Sequence, residues 1–179
     1  ISNMLGGSIA GANRLTIAGN AGVAISNISG ISTISCRVLM PVNALVTVTS
    51  NLTISNVISG AAASLTKAGT GILILSGANS YTGTTTITGG VLNIQNATAL
   101  GTIAGGTTVS SGAALEIQGN ITVGAEALSL AGYGISSNGA LRNISGNNTY
   151  SGTITLSASS SIQTDAGSLR INAPNSVTG

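Results

Sequence analysis

The chain has 179 residues, of which 42% are hydrophobic and only 4% are charged, with a formal net charge of +2. This composition excludes an intrinsically disordered chain, because disordered segments are rich in charge and poor in apolar residues. It also argues against a nucleic-acid-binding protein, since no run of cations could neutralise several phosphates together. The five cations are scattered along the chain, at Arg14, Arg37, Lys67, Arg142 and Arg170.

The composition also predicts a narrow core. Aromatic residues make up 2% of the chain, and Trp and Phe are absent, so Ile, Leu, Val and Ala must fill the interior. Residues of this size suit stacked parallel strands. Cys36 is the single cysteine and there is no His, which leaves no internal disulfide and no ordinary metal site. We therefore expect a fold that is stable by strand stacking alone, without a cofactor.

Short apolar runs separated by Gly, Ser and Asn open the chain. The runs at 15–17, 23–25, 31–34 and 52–54 predict short strands, half-buried where polar and apolar residues alternate. The most apolar window, residues 38–48, is about half the ~20 residues that a membrane-spanning helix needs. It also contains Pro41 and Asn43. It predicts two buried strands instead, with Pro41 at a strand start or corner.

Residues 65–101 contain a pattern that returns later in the chain. Two strand-like runs, 72–75 and 91–94, flank a polar loop at 77–83 and a Thr run at 84–86. The loop and the following strand recur 69 positions later, at 146–152 and 153–156. A long-period repeat of short strands and glycine turns is typical of a solenoid, in which each turn buries its apolar face against its neighbours.

The remaining apolar runs are equally short and none has a helical period. Further strands are predicted at 107–109, 114–117, 121–123, 127–130, 161–163 and 169–171. The sequence therefore predicts an all-β, right-handed parallel β-helix with roughly seven to nine rungs of about 20 to 25 residues each, and essentially no α-helix. Residues 1–179 would form one solenoid segment, with less regular rungs in 1–64, a first repeat in 65–137 and a second, truncated repeat in 138–179.

The same residues carry a family resemblance. The strings LTKAGTG (65–71), LSGANSYTG (75–83) and GVLNI (90–94), followed by ALG (99–101), resemble the passenger-associated strand repeat of bacterial autotransporters. Residues 138–156 and 165–169 look like further repeats of this kind. The resemblance implies an extracellular solenoid segment of an adhesin-like protein at the bacterial outer-membrane surface. No signal peptide follows Ile1, so we expect a segment of a longer precursor.

Two functions remain open from the sequence. The first is structural, a stalk or a self-assembling filament subunit whose partners are neighbouring repeats of the same precursor or other copies of itself. The second is an adhesive module that binds a host-cell or glycan ligand around Tyr81, Tyr133 or Tyr150. Tyr81 and Tyr150 occupy equivalent repeat positions, where each could cover a solenoid corner, and Asn79 and Asn148 fit turns with left-handed or Asx geometry.

An enzyme is not expected, and no catalytic, cofactor-binding or metal-binding residue is predicted. The carboxylates are Glu116, Glu126 and Asp165. The two glutamates are ten positions apart, which is less than one turn and does not stack them on one face as polysaccharide cleavage requires. No His is present to activate a serine. Ice binding would need Thr-x-Thr on many successive turns, and the Thr runs at 84–86 and 107–108 are irregular.

Overall fold

The computed structural model describes residues 4–11, 14–17, 22–173 and 177–178. These residues form 21 strands and one 3-10 helix, Ile135–Ser137. The strands of the first half are β1 Met4–Ile9, β2 Leu15–Thr16, β3 Gly22–Ile34, β4 Val38–Leu39, β5 Ala44–Val48, β6 Asn51–Ile54, β7 Ile58–Ser59, β8 Leu65–Ala68, β9 Ile72–Leu75, β10 Thr85–Ile87 and β11 Gly90–Ile94. Those of the second half are β12 Thr107–Val109, β13 Ala113–Gln118, β14 Thr122–Val123, β15 Leu128–Gly132, β16 Leu141–Ser145, β17 Asn147–Tyr150, β18 Ile154–Ser160, β19 Ile162–Thr164, β20 Ser168–Ile171 and β21 Val177–Thr178.

The strands lie on three faces, and each pairs in parallel with the strand one turn earlier or later. The first face contains β5, β8, β10, β12, β15, β18 and β21. The second contains β6, β9, β11, β13, β16 and β19, and the third contains β2, β4 and β7 and then β14, β17 and β20. The predicted parallel β-solenoid is confirmed, with about eight turns.

The turns differ in length. A turn on the second face takes 19 residues between the paired residues Ile72 and Val91, and 26 between Leu115 and Leu141. The longest turn therefore exceeds the predicted range, because it carries an additional excursion that contains the 3-10 helix. Within this excursion Ser136 and Ser137 have left-handed backbone angles, with φ of 52° and 60°.

The core consists of columns of identical or similar side chains. One inward column on the second face carries leucine on five successive turns: Leu52, Leu73, Leu92, Leu115 and Leu141. All five are buried, and burying one leucine contributes about 2 kcal/mol. The predicted narrow core of aliphatic residues is confirmed, because each side chain stacks on its equivalent in the next turn.

Most predicted strands lie where the sequence placed them. Residues 38–48 form β4 and β5 with Pro41 between them, as predicted. The separation of 23–25 from 31–34 is wrong, because the backbone stays extended through the corner and β3 is continuous from Gly22 to Ile34. The loop expected throughout 146–152 is also wrong in part, since Asn147–Tyr150 forms β17. Among the described residues, no helix is long and apolar enough to cross a membrane.

Candidate functional site

The two repeated tyrosines lie inside the solenoid. Tyr81 and Tyr150 are both 0% exposed. The Tyr81 hydroxyl lies 2.7 Å from Thr85 Oγ1, and Thr85 in turn donates to the Leu100 carbonyl at 3.2 Å. Burial raises the pKa of both tyrosines. A glycan platform at Tyr81 or Tyr150 is therefore wrong, because neither ring reaches the surface; the two side chains fill their corners from within.

The repeated asparagines join backbone groups instead of adopting left-handed turns. Asn79 accepts a hydrogen bond from the Ile58 amide at 2.8 Å and donates to the Ala99 carbonyl at 2.6 Å. It thus connects the turn before it to the turn after it. The left-handed prediction is wrong for Asn79 and Asn148, since neither has a positive φ. A buried amide can satisfy a donor and an acceptor that would otherwise be unpaired.

Lys67 is a buried cation that the sequence analysis counted only as a scattered charge. It is 0% exposed, and its Nζ donates to the carbonyls of Ala68 at 3.0 Å, Gly69 at 2.9 Å and Gly89 at 2.9 Å. Burial lowers the pKa of Lys67 to about 8. The alternation in Leu65-Thr66-Lys67 could have placed its side chain on the inward face. The ammonium ties together the corners of two successive turns.

The two glutamates occupy separate environments. Glu126 is 3% exposed, and its Oε1 accepts a hydrogen bond from the Thr107 hydroxyl at 2.9 Å. Burial raises the pKa of Glu126. Glu116 lies on β13 and accepts hydrogen bonds from Asn93 Nδ2 at 3.1 Å and from Arg142 at 3.2 Å. The arrangement expected from their spacing is therefore observed: the glutamates do not face one groove.

A small ion network crosses the outer side of the second face. Arg142 on β16 pairs with Glu116 on β13 and with Asp165 after β19, so the network spans three turns. The hydrogen bond from Arg142 lowers the pKa of Asp165, and the same bond raises the pKa of Arg142. The side chains of Arg142 and Asp165 are 27% and 28% exposed, and an ion pair between such partly solvated groups contributes little to stability, whereas the side chain of Glu116 is only 11% exposed. Among the described residues, no group of three His, Cys, Asp or Glu side chains could hold a metal ion.

The outer side of the first face is regular and uncharged. A column of hydroxyl residues, which we call the hydroxyl ladder, runs along it from turn to turn. Its members pair in register on six successive turns: Thr66, Thr86, Thr108, Ser129, Thr155 and Thr178. The Thr runs look irregular in the sequence because the turns differ in length. In the structure, the strand register aligns these residues in one regular column.

Tyr133 is the one member of the predicted tyrosine set that is accessible. It is 54% exposed, at the start of the excursion in the longest turn, and the neighbouring Ile135 is 39% exposed. The Tyr133 carbonyl accepts hydrogen bonds from the Gly139 amide at 2.8 Å and from the Ser161 hydroxyl at 3.3 Å. These bonds close the base of the excursion and hold the aromatic ring outside the solenoid.

The last described turn has an open edge. Within the described residues, β19, β20 and β21 each pair with a neighbour on one side only. Apolar side chains there are incompletely covered: Ile162, Leu169 and Ile171 are half-buried, and Val177 is 45% exposed. Unpaired backbone groups beside apolar side chains are a template for another strand. Cys36, in contrast, is free and buried, away from any such contact surface.

Fold and register together define a parallel β-solenoid, and two of its corners contain a repeated Asn-x-Tyr-x-Gly sequence, at 79–83 and 148–152. Comparisons with known proteins agree with this class. Residues 65–94 and 143–158 match the family model of the passenger-associated-transport-repeat, which covers about a quarter of the chain. No solved structure matches the chain.

The chain is also similar to a known autotransporter adhesin. The chain is 38% identical over 76 residues to the adhesin BmaC autotransporter of Brucella suis biovar 1 (strain 1330). The match covers 42% of this chain and 2% of the adhesin, so the chain spans a small fraction of the length of this relative. The predicted resemblance to autotransporter passenger repeats is confirmed, and the chain is similar to an extracellular passenger segment of such a protein.

Proposed function

We propose that this passenger segment is a structural shaft, which serves as a stalk or as a subunit of a self-assembling filament. The observation that carries the proposal is the continuous ladder of parallel strands on the first and second faces. On the third face, hydrogen bonds between turns continue past β7 where no strand forms, as in the bonds from the Ser80 amide to the Ile58 carbonyl and from the Thr102 amide to the Tyr81 carbonyl, both 2.9 Å. A rod of stacked turns resists bending and needs no cofactor.

The filament version of the proposal rests on the open edge of the last described turn. Another turn, from the same precursor or from another copy, would pair with β19, β20 and β21 and cover Leu169 and Ile171. The chain has few charges, so little repulsion between like charges opposes this contact.

The shaft is proposed to be non-enzymatic. The three carboxylates are engaged in other contacts: Glu126 with Thr107 in the interior, and Glu116 and Asp165 with Arg142. Glycoside cleavage needs two carboxyl groups that flank one bond of the substrate. The described carboxylates offer no such pair.

Electron microscopy of the unstained, purified segment tests the structural proposal. Eight turns at ~4.8 Å each predict a rod ~40 Å long. Single rods of this length indicate a shaft within a longer chain, and longer rods indicate end-to-end assembly. Ultracentrifugation at micromolar concentration should then show oligomers that Leu169→Lys reduces and Thr86→Lys, away from the edge, does not. Compact particles without rods would contradict both versions.

Adhesion is a second candidate function, because Tyr133 is exposed in a closed excursion beside Ile135. An exposed aromatic ring on a fixed loop is a common contact for protein or glycan partners. Tyr133→Ala should abolish adhesion of cells displaying the segment, whereas Ile103→Ala, at another exposed apolar residue, should not. Equal adhesion of Tyr133→Ala and the unaltered segment would remove Tyr133 as the binding residue.

A further inference from the structure

The hydroxyl ladder is not needed for the shaft function, and its chemistry is unusually uniform. The outward positions of β8, β10, β12, β15 and β18 carry only Thr, Ser and Ala. No charged side chain projects from these five strands on that side, since Lys67 points inward. Each hydroxyl can donate and accept a hydrogen bond. A partner of this face therefore meets both donors and acceptors of hydrogen bonds and no charged side chain.

The ladder borders a shallow depression. The outward positions that precede the ladder residues are occupied by Gly106 and Ala127 on two successive turns. Because these residues are small, they leave a depression of about 240 Å³. Three members of the hydroxyl ladder, Thr108, Ser129 and Thr155, line it. The depression is large enough for one sugar ring and is bordered by hydroxyl groups.

Size argues against a protein as the partner. Six turns at ~4.8 Å and outward columns ~7 Å apart give a strip of only a few hundred square ångströms. A stable protein interface buries about 800 Å² on each partner. A linear polysaccharide needs less area, because it is itself a narrow chain. Its hydroxyl-bearing rings recur at intervals comparable with the spacing between turns.

We propose that the hydroxyl ladder and its depression bind a neutral linear polysaccharide, which lies along the solenoid axis with one sugar ring over Ala127 and hydroxyl contacts to Thr108, Ser129 and Thr155. Affinity at a single depression is low, since exposed neutral hydrogen bonds contribute little. Many copies on a cell surface would raise the effective affinity through multivalency. The inference is independent of the shaft proposal, which microscopy tests separately.

Saturation-transfer NMR and amide-shift titration of the segment with cellohexaose and chitohexaose test this site. We expect millimolar binding of at least one oligomer, with shifts confined to the first face and unaffected by salt. Ala127→Leu should fill the depression and lower the affinity at least tenfold. Its matched control is Ala68→Leu, which lies on the same face outside the depression and should bind as the unaltered segment does. Thr155→Val should lower the affinity about fivefold, as the loss of one neutral hydrogen bond does.

Several results would overturn the proposal. One is the absence of binding by both neutral oligomers at saturating concentration. Another is an Ala127→Leu variant that is folded, with the melting temperature of the unaltered segment, and that binds the oligomer with unchanged affinity. Binding of polygalacturonate alone would show that charge is recognised elsewhere. Inhibition of ice recrystallisation without oligosaccharide binding would instead assign the ladder to ordered water.

Discussion

The two repeat corners share their motif but differ in what surrounds it. In both corners the tyrosine and the asparagine two residues earlier are buried. In both, the glycine two residues after the tyrosine lies against the preceding turn: a Cβ at Gly83 would lie 2.4 Å from the Ala63 carbonyl oxygen, and one at Gly152 would lie 1.6 Å from that of Glu126. The motif therefore determines how closely successive turns approach.

The buried hydroxyl groups distinguish the corners. Tyr81 has Thr85 as a hydrogen-bond partner four residues later. Ile154 stands at the matching position after Tyr150, whose buried hydroxyl has no hydrogen-bond partner among the described residues. The second corner instead gains strand structure, because β17 pairs with β14 and β20. The motif therefore determines the geometry of the corner, whereas residues outside the motif determine whether its buried polar groups form hydrogen bonds.

The largest expected effect comes from removing the asparagine of either corner. Asn79→Ala leaves the Ile58 amide and the Ala99 carbonyl unpaired, and Asn148→Ala does the same to the Ile121 amide and the Ser145 carbonyl. Each substitution should lower the free energy of unfolding by about 3 kcal/mol, since a buried unpaired group costs 1–3 kcal/mol. Urea denaturation followed by circular dichroism measures the loss.

Asn147→Ala is the matched control for these two variants, because Asn147 is exposed on the same strand as Asn148. Its effect should stay below about 0.5 kcal/mol, as is usual at the surface. A loss for Asn79→Ala no greater than that of Asn147→Ala would show that the turns do not depend on the amide bridge.

Lys67 distinguishes the first repeat from the rest of its column. The paired inward positions on neighbouring turns are Val46 and Ile87. Lys67→Met keeps the side-chain length but removes the ammonium from three carbonyl groups. We expect a loss of about 2 kcal/mol, because the carbonyls lose charged hydrogen bonds while the core gains an apolar side chain. Denaturation at pH 7 checks this value, and a gain in stability would mean that burying the charge costs more than its bonds return.

Removal of the tyrosine hydroxyls should separate the corners directly. Tyr81→Phe loses the bond to Thr85 and should lower the free energy of unfolding by about 1 kcal/mol. Tyr150→Phe loses no bond and should be neutral or slightly stabilising, since it removes a buried hydroxyl without a partner. Parallel urea titrations compare the two. Equal losses would show that Tyr150 has a partner that the corner geometry does not reveal.

The sequence predicts the class of fold well because the signals involved are local. Alternation of apolar residues predicts β6, the apolar runs at 72–75 and 91–94 predict β9 and β11, and the repeat spacing indicates stacked turns. The break at Pro41 is also local, since proline lacks the amide that a strand needs. These predictions depend on residues close together in the sequence and not on which turns contact each other.

The candidate surfaces depend on register, which the sequence does not display. Thr108 and Ser129 are 21 positions apart, whereas Ser129 and Thr155 are 26 apart, so no fixed period reveals the hydroxyl ladder. The burial of Tyr81 and Tyr150 likewise follows from the neighbouring turns that enclose them. Lys67 could have been assigned to the interior from alternation, but its carbonyl partner on the next turn, Gly89, could not.

The free energy of unfolding should pass through a minimum between two titrations. Because burial raises the pKa of Glu126 above its ordinary 4.5, the folded chain keeps a proton that the unfolded chain releases, and the free energy of unfolding falls as pH rises through that window. Because burial lowers the pKa of Lys67 from 10.5 to about 8, the unfolded chain keeps a proton that the folded chain releases, and the free energy of unfolding rises again between these values.

Urea denaturation at a series of pH values measures both parts of this curve: the acidic limb, where stability falls as pH rises, and the alkaline limb, where it rises again. Glu126→Gln should flatten only the acidic limb and Lys67→Met only the alkaline one, because each variant removes one titrating group. Glu126 lies near Tyr150, whose own raised pKa keeps it protonated throughout, so Tyr150→Phe should leave both limbs in place. A fall in stability that persists in Glu126→Gln would show that the buried carboxyl group of Glu126 does not cause it.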